Sequence, residues 1–257
     1  MRDGFAMRGD WRHDVIVVTL AVEELGPREL APLVNTLDEA EREQAARLHF
    51  DADRNAYIAA HGLTRLFLSA WTGRAAGSLA FNAGPYGKPA LVRGGASFNL
   101  SHTRGMVAVA VAAQGEVGVD IEPINPRRTI ELDIADRWFS AAEVAQIGSE
   151  EAEDAKRARF MRIWNLKESV IKATGRGLSQ ELTGFTVTPA AGPDTSPVMA
   201  IHEEWLERAG DWRLAQWDVD GYVLAAASLN GPPGNLRHLR VTADGLAALA
   251  DGAPILV

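Results

Sequence analysis

Apolar and polar positions change period several times along the chain, and each change marks an element. Val15 to Leu20 reads VIVVTL, a short β-branched apolar run that predicts a buried strand. Asp38 to Leu48 is mostly polar with helical spacing, and a second helix begins near Asp51 or Asp53, either of which can cap it. Within that second helix Tyr57, Ala60, Leu63, Phe67 and Ala70 recur at three- and four-residue steps and form one buried face; Trp71-Thr72-Gly73 ends it. Phe81 to Pro89 is a turn-rich loop punctuated by Gly84, Pro85, Gly87 and Pro89. Three strands follow, Ser97 to Leu100, Met106 to Ala112 and Val117 to Glu122, and Gln114-Gly115 predicts a tight hairpin between the last two.

Helical spacing resumes at Ile130 to Trp138 and at Ala141 to Ile147, the latter capped by Ser140. Ser149 to Asp154 reads as a solvated acidic connection. The strongest helix runs from about Ala155 to Thr174 and stops at Gly175 and Gly177. Strand signals return at Phe185 to Thr188, Trp212 to Trp217 and Tyr222 to Leu229, and the weaker pattern beyond Asn230 predicts a peripheral tail. No regular βαβ alternation runs through this order, so the expected class is α+β with antiparallel sheets. The sequence strand, helix pair, strands occurs twice, with the changeover near Gln114. The expected organisation is an N-terminal lobe over residues 1–114, a C-terminal lobe over 115–230 and a tail over 231–257.

Composition narrows the function classes. With no cysteine among 257 residues, disulfides, thiolate zinc sites and cysteine nucleophiles are excluded together. A net charge of -8 argues against a general nucleic-acid binder, which needs a basic face, but leaves room for a local basic pocket. Met1 to Asp14 mixes charges with few apolar residues and is no signal peptide, and no apolar run approaches the ~20 residues of a membrane helix. The expected setting is the cytoplasm, away from membranes.

Three short segments could carry chemistry. In Gly118-Val119-Asp120-Ile121-Glu122, strand alternation puts Asp120 and Glu122 on one face. Two such carboxylates suit a hard divalent cation, although a solvent-facing edge strand explains them as well. In Trp164 to Lys172 (WNLKESVIK), Trp164, Glu168 and Lys172 share a helix face, with Lys167 roughly 100° round. A carboxylate between two ammonium groups suits a metal bound to a phosphorylated ligand, and an ordinary surface Glu–Lys pair has the same spacing. In Phe98-Asn99-Leu100-Ser101-His102, the histidine at a strand exit can donate to a phosphate or serve structure alone. A serine-hydrolase reading of Ser101-His102 fails, because neighbours at a strand exit do not form the hydrogen-bonded relay and no nucleophile elbow is present.

Taken in order, Gly87-Lys88-Pro89, FNLSH, GVDIE, FSAAE (Phe139 to Glu143), WNLKESVIK and GRGL (Gly175 to Leu178) closely resemble the surfactin-synthetase-type phosphopantetheinyl transferases. The match is clear from Tyr86 to Leu178, with a looser likeness from Arg47 to Arg65. The resemblance implies a two-lobed α+β fold of pseudo-symmetric halves, a monomer, and magnesium held by Asp120, Glu122 and Glu168. It makes Glu168 the candidate base and places Lys172 and His102 on the coenzyme A diphosphate, with Lys167 nearby. It places Lys88 at a phosphate or the adenine, Ser101 at the nucleotide, and Arg54 at the 3′-phosphate together with Arg47 or Arg42. The helix before Arg47 offers Glu41, Arg42, Glu43 and Gln44 where relatives often carry more basic residues.

The implied reaction moves phosphopantetheine from coenzyme A to a serine of an apo acyl or peptidyl carrier protein, docked along Pro123 to Ile147 with Trp138, Val144 or Ile147 as an apolar anchor. A magnesium-dependent phosphohydrolase built on the same carboxylates and a non-catalytic nucleotide-binding protein are the readings to beat. The intact carboxylate set speaks against the second. The carrier protein and the pathway it serves are not written in these motifs.

Overall fold

The computed structural model describes residues 11–124, 135–192, 195–202, 205 and 209–250. Its first layer is helical. β1 (Val15–Ala21) leads to α1 (Pro27–Thr36), α2 (Glu39–Arg47) and the long α3 (Asp51–Thr72). Asp38 caps α2 and Glu41 reaches back to its amide, a complete capping box. The cap position of α3 is Phe50, so Asp51 and Asp53 lie inside its first turn instead of capping it, while Gly73 ends it in the left-handed conformation at φ 69°. α1 is absent from the sequence reading, because Pro27 and Pro32 mask its spacing. It packs where Gly62 of α3 lets Leu33 approach the helix backbone.

After α3 come the short hairpin of β2 (Phe81–Ala83) and β3 (Pro89–Leu91), then β4 (Ser97–Thr103), β5 (Met106–Ala112) and β6 (Glu116–Pro123). The turn-rich loop is therefore a hairpin. α4 (Ala135–Trp138), α5 (Ala141–Gly148, capped by Ser140) and α6 (Glu153–Thr174) follow. The expected start at Ile130 lies outside the described residues. β7 (Phe185–Thr188) pairs with β8 (Val198–Ile201), and the chain finishes with β9 (Trp212–Val219), β10 (Tyr222–Leu229), β11 (Leu236–Val241) and α7 (Ala243–Ala250).

Two sheets organise the molecule. The first has the order β11-β1-β5-β4 and the second β6-β10-β9. All their pairings are antiparallel except β1 with β11. Strand alternation sends Ile16, Val18, Leu20, Val107 and Val109 under α3, and Val15, Val17, Ala108 and Ala110 toward the second sheet. There they meet Val117, Val119, Ile121, Leu224 and Ala226. The far face of the second sheet, through Val223, Ala225 and Ala227, packs on Ile163, Leu166 and Val170 of α6. The layers run helix, sheet, sheet, helix. Each outer helix has 22 residues and a left-handed glycine cap, Gly73 or Gly175.

Two expectations need correction. β5 and β6 form no hairpin: β5 pairs with β1 and β4, β6 with β10, and the chain changes sheets at Gln114-Gly115. Gly115 has φ 74°, and a Cβ there would overlap the Asn230 carbonyl. The tail after Asn230 is not peripheral over its whole length, since Leu236–Val241 extends the first sheet alongside β1 and Leu246 and Leu249 of α7 join the first core. A weak apolar pattern was enough for an edge strand buried on one side only.

Candidate active site

The two sheets meet edge to edge where β4 runs beside β6. Phe98, Leu100 and His102 of β4 face one way; Asn99, Ser101 and Thr103 face β6. Asn99 Oδ1 accepts the Val119 amide at 2.9 Å, the Ser101 hydroxyl donates to Asp120 at 3.0 Å, and the Thr103 hydroxyl donates to Glu122 at 3.3 Å. This ladder of side chains replaces the backbone hydrogen bonds that a continuous sheet would have. Sequence reading gave Asn99 and Thr103 no part, although their two-residue spacing from Ser101 was the available signal.

On β6, Gly118, Asp120 and Glu122 point away from the inter-sheet core toward α6, as alternation predicts. Gly118 makes the close approach possible, because a Cβ there would overlap the Ser169 carbonyl and the Ala173 amide of α6. The helix then presents Asn165, Glu168 and Lys172 to the strand. Lys172 Nζ lies 2.6 Å from Asp120 Oδ1 and 3.0 Å from Ser101 Oγ. Asn165 Nδ2 donates to Asp120 Oδ2 at 2.9 Å. Asp120 is only 3% exposed.

The electrostatics follow from that crowding. Burial, then the negative charge of Asp120, pushes Glu122 up to about 7 against help from Thr103 and Lys172. Burial and Asp120 push Glu168 up to about 7 as well. His102 is lowered by desolvation first, then by His61 and Lys172, while Asp53 opposes them. His61 is thereby placed near His102; it is fixed by Glu41 at 3.1 Å and stacked on Tyr57 with ring centres 4.0 Å apart. Among the described residues no three Asp, Glu or His side chains converge closely enough to enclose an ion. The donor set still fits a hard divalent cation: it is all oxygen, and two of its carboxyls are raised by burial first and then by the negative charge of Asp120, both of which a cation would offset.

Asp120, Glu122, Glu168, Lys172, Ser101 and His102 are thus brought together. Lys167 is not, and its expected place beside coenzyme A is corrected. Its side chain is fully buried on the opposite side of α6, 3.0 Å from Glu143, donating to the Leu182 and Phe185 carbonyls at 2.6 and 2.8 Å. One helical step, about 100°, turns it from the site into the core. Burial lowers it to about 8 although Glu143 raises it. The Glu143 of FSAAE is therefore its counter-ion, and it also accepts the Val187 amide at 2.7 Å.

Lys88 lies toward the other end of the β4–β6 seam, where its ammonium bonds Glu116 at 2.7 Å, the Val117 carbonyl at 3.1 Å and the Ala173 carbonyl at 2.7 Å. Arg54 sits in the first turn of α3, donating to the Leu48 carbonyl at 3.0 Å and pairing with Asp51. Of the expected carrier anchors, Ile147 belongs to the second core, while Trp138 and Val144 pack against it half-buried. Residues 125–134 of that region lie outside the described residues.

Residues 116–227 match the model of the 4′-phosphopantetheinyl transferase superfamily. The chain is 30% identical to 4′-phosphopantetheinyl transferase HetI of Nostoc over 208 residues, 79% of this chain and 82% of the relative. It is also 30% identical to 4′-phosphopantetheinyl transferase Sfp of Bacillus subtilis over 164 residues, 63% and 71% of the two chains. Among solved structures, Helicobacter pylori holo-[acyl-carrier-protein] synthase in complex with coenzyme A aligns at 15% identity and a TM-score of 0.34, over 44% of this chain and 98% of that one. The matched segment carries β6 and α6 with their acidic and basic side chains, and the likeness to HetI extends well beyond it: the chain belongs to the 4′-phosphopantetheinyl transferase family, of the surfactin-synthetase type.

Proposed function

We propose that this enzyme transfers phosphopantetheine from coenzyme A to a serine of an apo acyl or peptidyl carrier protein, with magnesium, releasing adenosine 3′,5′-bisphosphate. The observation that carries the reading is the β4–β6 seam against α6, where Lys172 and Ser101 meet the buried Asp120 and where Glu122 and Glu168 lie near enough for its charge to raise both. Asp120, Glu122 and Glu168 would hold the cation. When bound, it neutralises the diphosphate and the charge that develops on the leaving phosphate.

The chain's own groups supply the rest. Lys172 and His102 bind diphosphate oxygens, and Arg54 serves the 3′-phosphate end of the cleft. Glu168 takes the serine proton, directly or through water, as the serine oxygen bonds to the β-phosphorus. The bond from that phosphorus to the bridging oxygen breaks, and the oxygen departs with adenosine bisphosphate. With the cation and Lys172 beside it Glu168 is kept ionised, and so is free to accept the serine proton. Phosphoryl transfer asks mainly for positioning and charge neutralisation, which a buried, pre-ordered seam provides.

Intact-mass spectrometry of apo carrier proteins incubated with the enzyme, coenzyme A and magnesium tests the reading, with a chelator control. A gain of one phosphopantetheine that the chelator abolishes supports it. Consumption of coenzyme A with no carrier modified would replace it with a phosphohydrolase.

A further inference from the structure

Asp120 is held by more donors than a metal ligand waiting for its ion requires. Oδ1 takes the Lys172 ammonium at 2.6 Å and the Ser101 hydroxyl at 3.0 Å, and Oδ2 takes the Asn165 amide at 2.9 Å. Among the described residues no ion pair reaches Glu122 or Glu168, so the one ammonium at this cluster is committed to Asp120. The three holders differ in mobility. Lys172 has a long side chain 28% exposed to the cleft, whereas the Asp120 side chain is 4% exposed and Asn165 is fully buried.

Asn165 is informative for a second reason. Its Oδ1 is buried without any hydrogen-bond partner. A buried amide oxygen left without a donor is costly, so this side chain is not placed for packing or for its own satisfaction. It is placed for the single bond that its Nδ2 makes to Asp120.

We propose that Asp120 changes partners when the substrates bind, passing from Lys172 to the cation as the diphosphate draws the ammonium away, and that Asn165 is the positioning residue that keeps the carboxylate still through the exchange. This rests on the cation and coenzyme A assignments above and goes beyond them in making the two binding events interdependent. Three carboxylates with one ammonium leave the cluster short of positive charge. A cation arriving alone must displace Lys172 from Asp120 and leave it facing like charge. A diphosphate arriving with it gives the ammonium a new anion in the same cleft, so that neither charge is stranded. Because Oδ2 stays anchored by Asn165, only Oδ1 has to exchange partners, and the carboxylate need not rotate.

The test is titration of the full-length chain with Mn2+, followed by the paramagnetic signal of the free ion, with and without coenzyme A. Replacing Lys172→Met should tighten Mn2+ binding by about tenfold without coenzyme A, the loss of a competing cation at close range, and should shrink the enhancement that coenzyme A gives. Asn165→Ala should weaken Mn2+ binding in both conditions, and Asn165→Ser, which disturbs packing less, should do so in the same direction. A purely structural role predicts losses in every variant, never a gain. Lys156→Met removes an ammonium of α6 that pairs with Glu153 and does not touch Asp120, and should leave Mn2+ affinity without coenzyme A within about twofold.

Mn2+ affinity indifferent to Lys172→Met, or raised equally by Lys156→Met, would overturn the exchange while leaving the transferase reading in place. Wild-type affinity in both Asn165 variants would remove Asn165 from it. A wild-type chain that binds no Mn2+ in either condition would overturn the cation assignment itself, whatever the carrier assay shows.

Discussion

Asp120 and Glu168 differ from Lys167 in what their loss should do, and the contrast separates chemistry from architecture residue by residue. Asp120→Ala or Glu168→Ala should lower phosphopantetheine transfer by roughly a hundredfold or more, the scale of removing a group that meets transition-state charge, while circular dichroism shows both chains folded. Full activity in either variant would remove it from the site. Lys167→Met should instead cost stability, on the order of 3 kcal/mol, by leaving Glu143 charged and unpaired in the core. Its denaturation midpoint should fall, with little change in the KM for coenzyme A of the protein that remains folded.

The same residues set the pH response. Glu122 and Glu168 titrate at about 7 in the folded chain, above the usual carboxylate value, so the folded state keeps protons that the unfolded chain has already released. Metal-free stability should therefore be highest below about pH 4.5 as far as these two are concerned, decline as pH rises toward 7, and level off above it. Glu41 acts in the opposite sense. Burial alone would raise it, but hydrogen bonds from His61, Arg65 and the Asp38 amide outweigh that and lower it to about 2. Its contribution is present above about pH 4.5 and is lost as pH falls toward 2. Thermal melting against pH, with Glu122→Gln and Glu41→Gln variants, checks both: the first should flatten the neutral limb and the second the acid limb.

At the scale of elements, the site exists because α6 lies directly on the backbone of β6 and β4 abuts β6 through side chains. Gly118 is the point of closest approach. Gly118→Ala should push the helix away, costing roughly 1–3 kcal/mol as overpacking does, and should lose activity out of proportion to the fraction unfolded. Preserved kcat and KM in a folded Gly118→Ala chain would show that the β6–α6 spacing is not critical. Asn99 works at the same scale: it joins two sheets that share no backbone hydrogen bond at this edge by accepting the Val119 amide.

For the whole molecule, β11 decides how independent the halves are. It follows the second sheet in the chain yet pairs with β1 of the first, and Asp14 anchors it through the Asn235 amide at 2.7 Å and Arg237 at 2.6 Å. Ending the chain at Asn230 would strip β1 of a neighbour and expose an edge strand with an apolar face. Such a truncation should be poorly soluble or melt well below the full chain; an equally stable truncated protein would show that β11 is dispensable. No described helix is long and apolar enough to cross a membrane.

The acidic pair on β6, the acid and lysine on one face of α6, the histidine at the exit of β4 and the helix stops at Gly73 and Gly175 were all legible in the sequence. They depend on local periodicity and on residue types with few roles, and the order of the motifs carries the family. Direction round a helix within one turn was less legible, so Lys167 was placed with its neighbour Glu168 although its ammonium belongs to a buried pair with Glu143, a residue 24 positions away in the chain. The sheet change at Gly115, the return of β11 to β1 and the clamp of Asn165 on Asp120 were beyond local reading. Each depends on which distant segment becomes a neighbour, and that choice is made by the burial of two apolar sheet faces against each other, a property of the assembled chain that no local pattern contains.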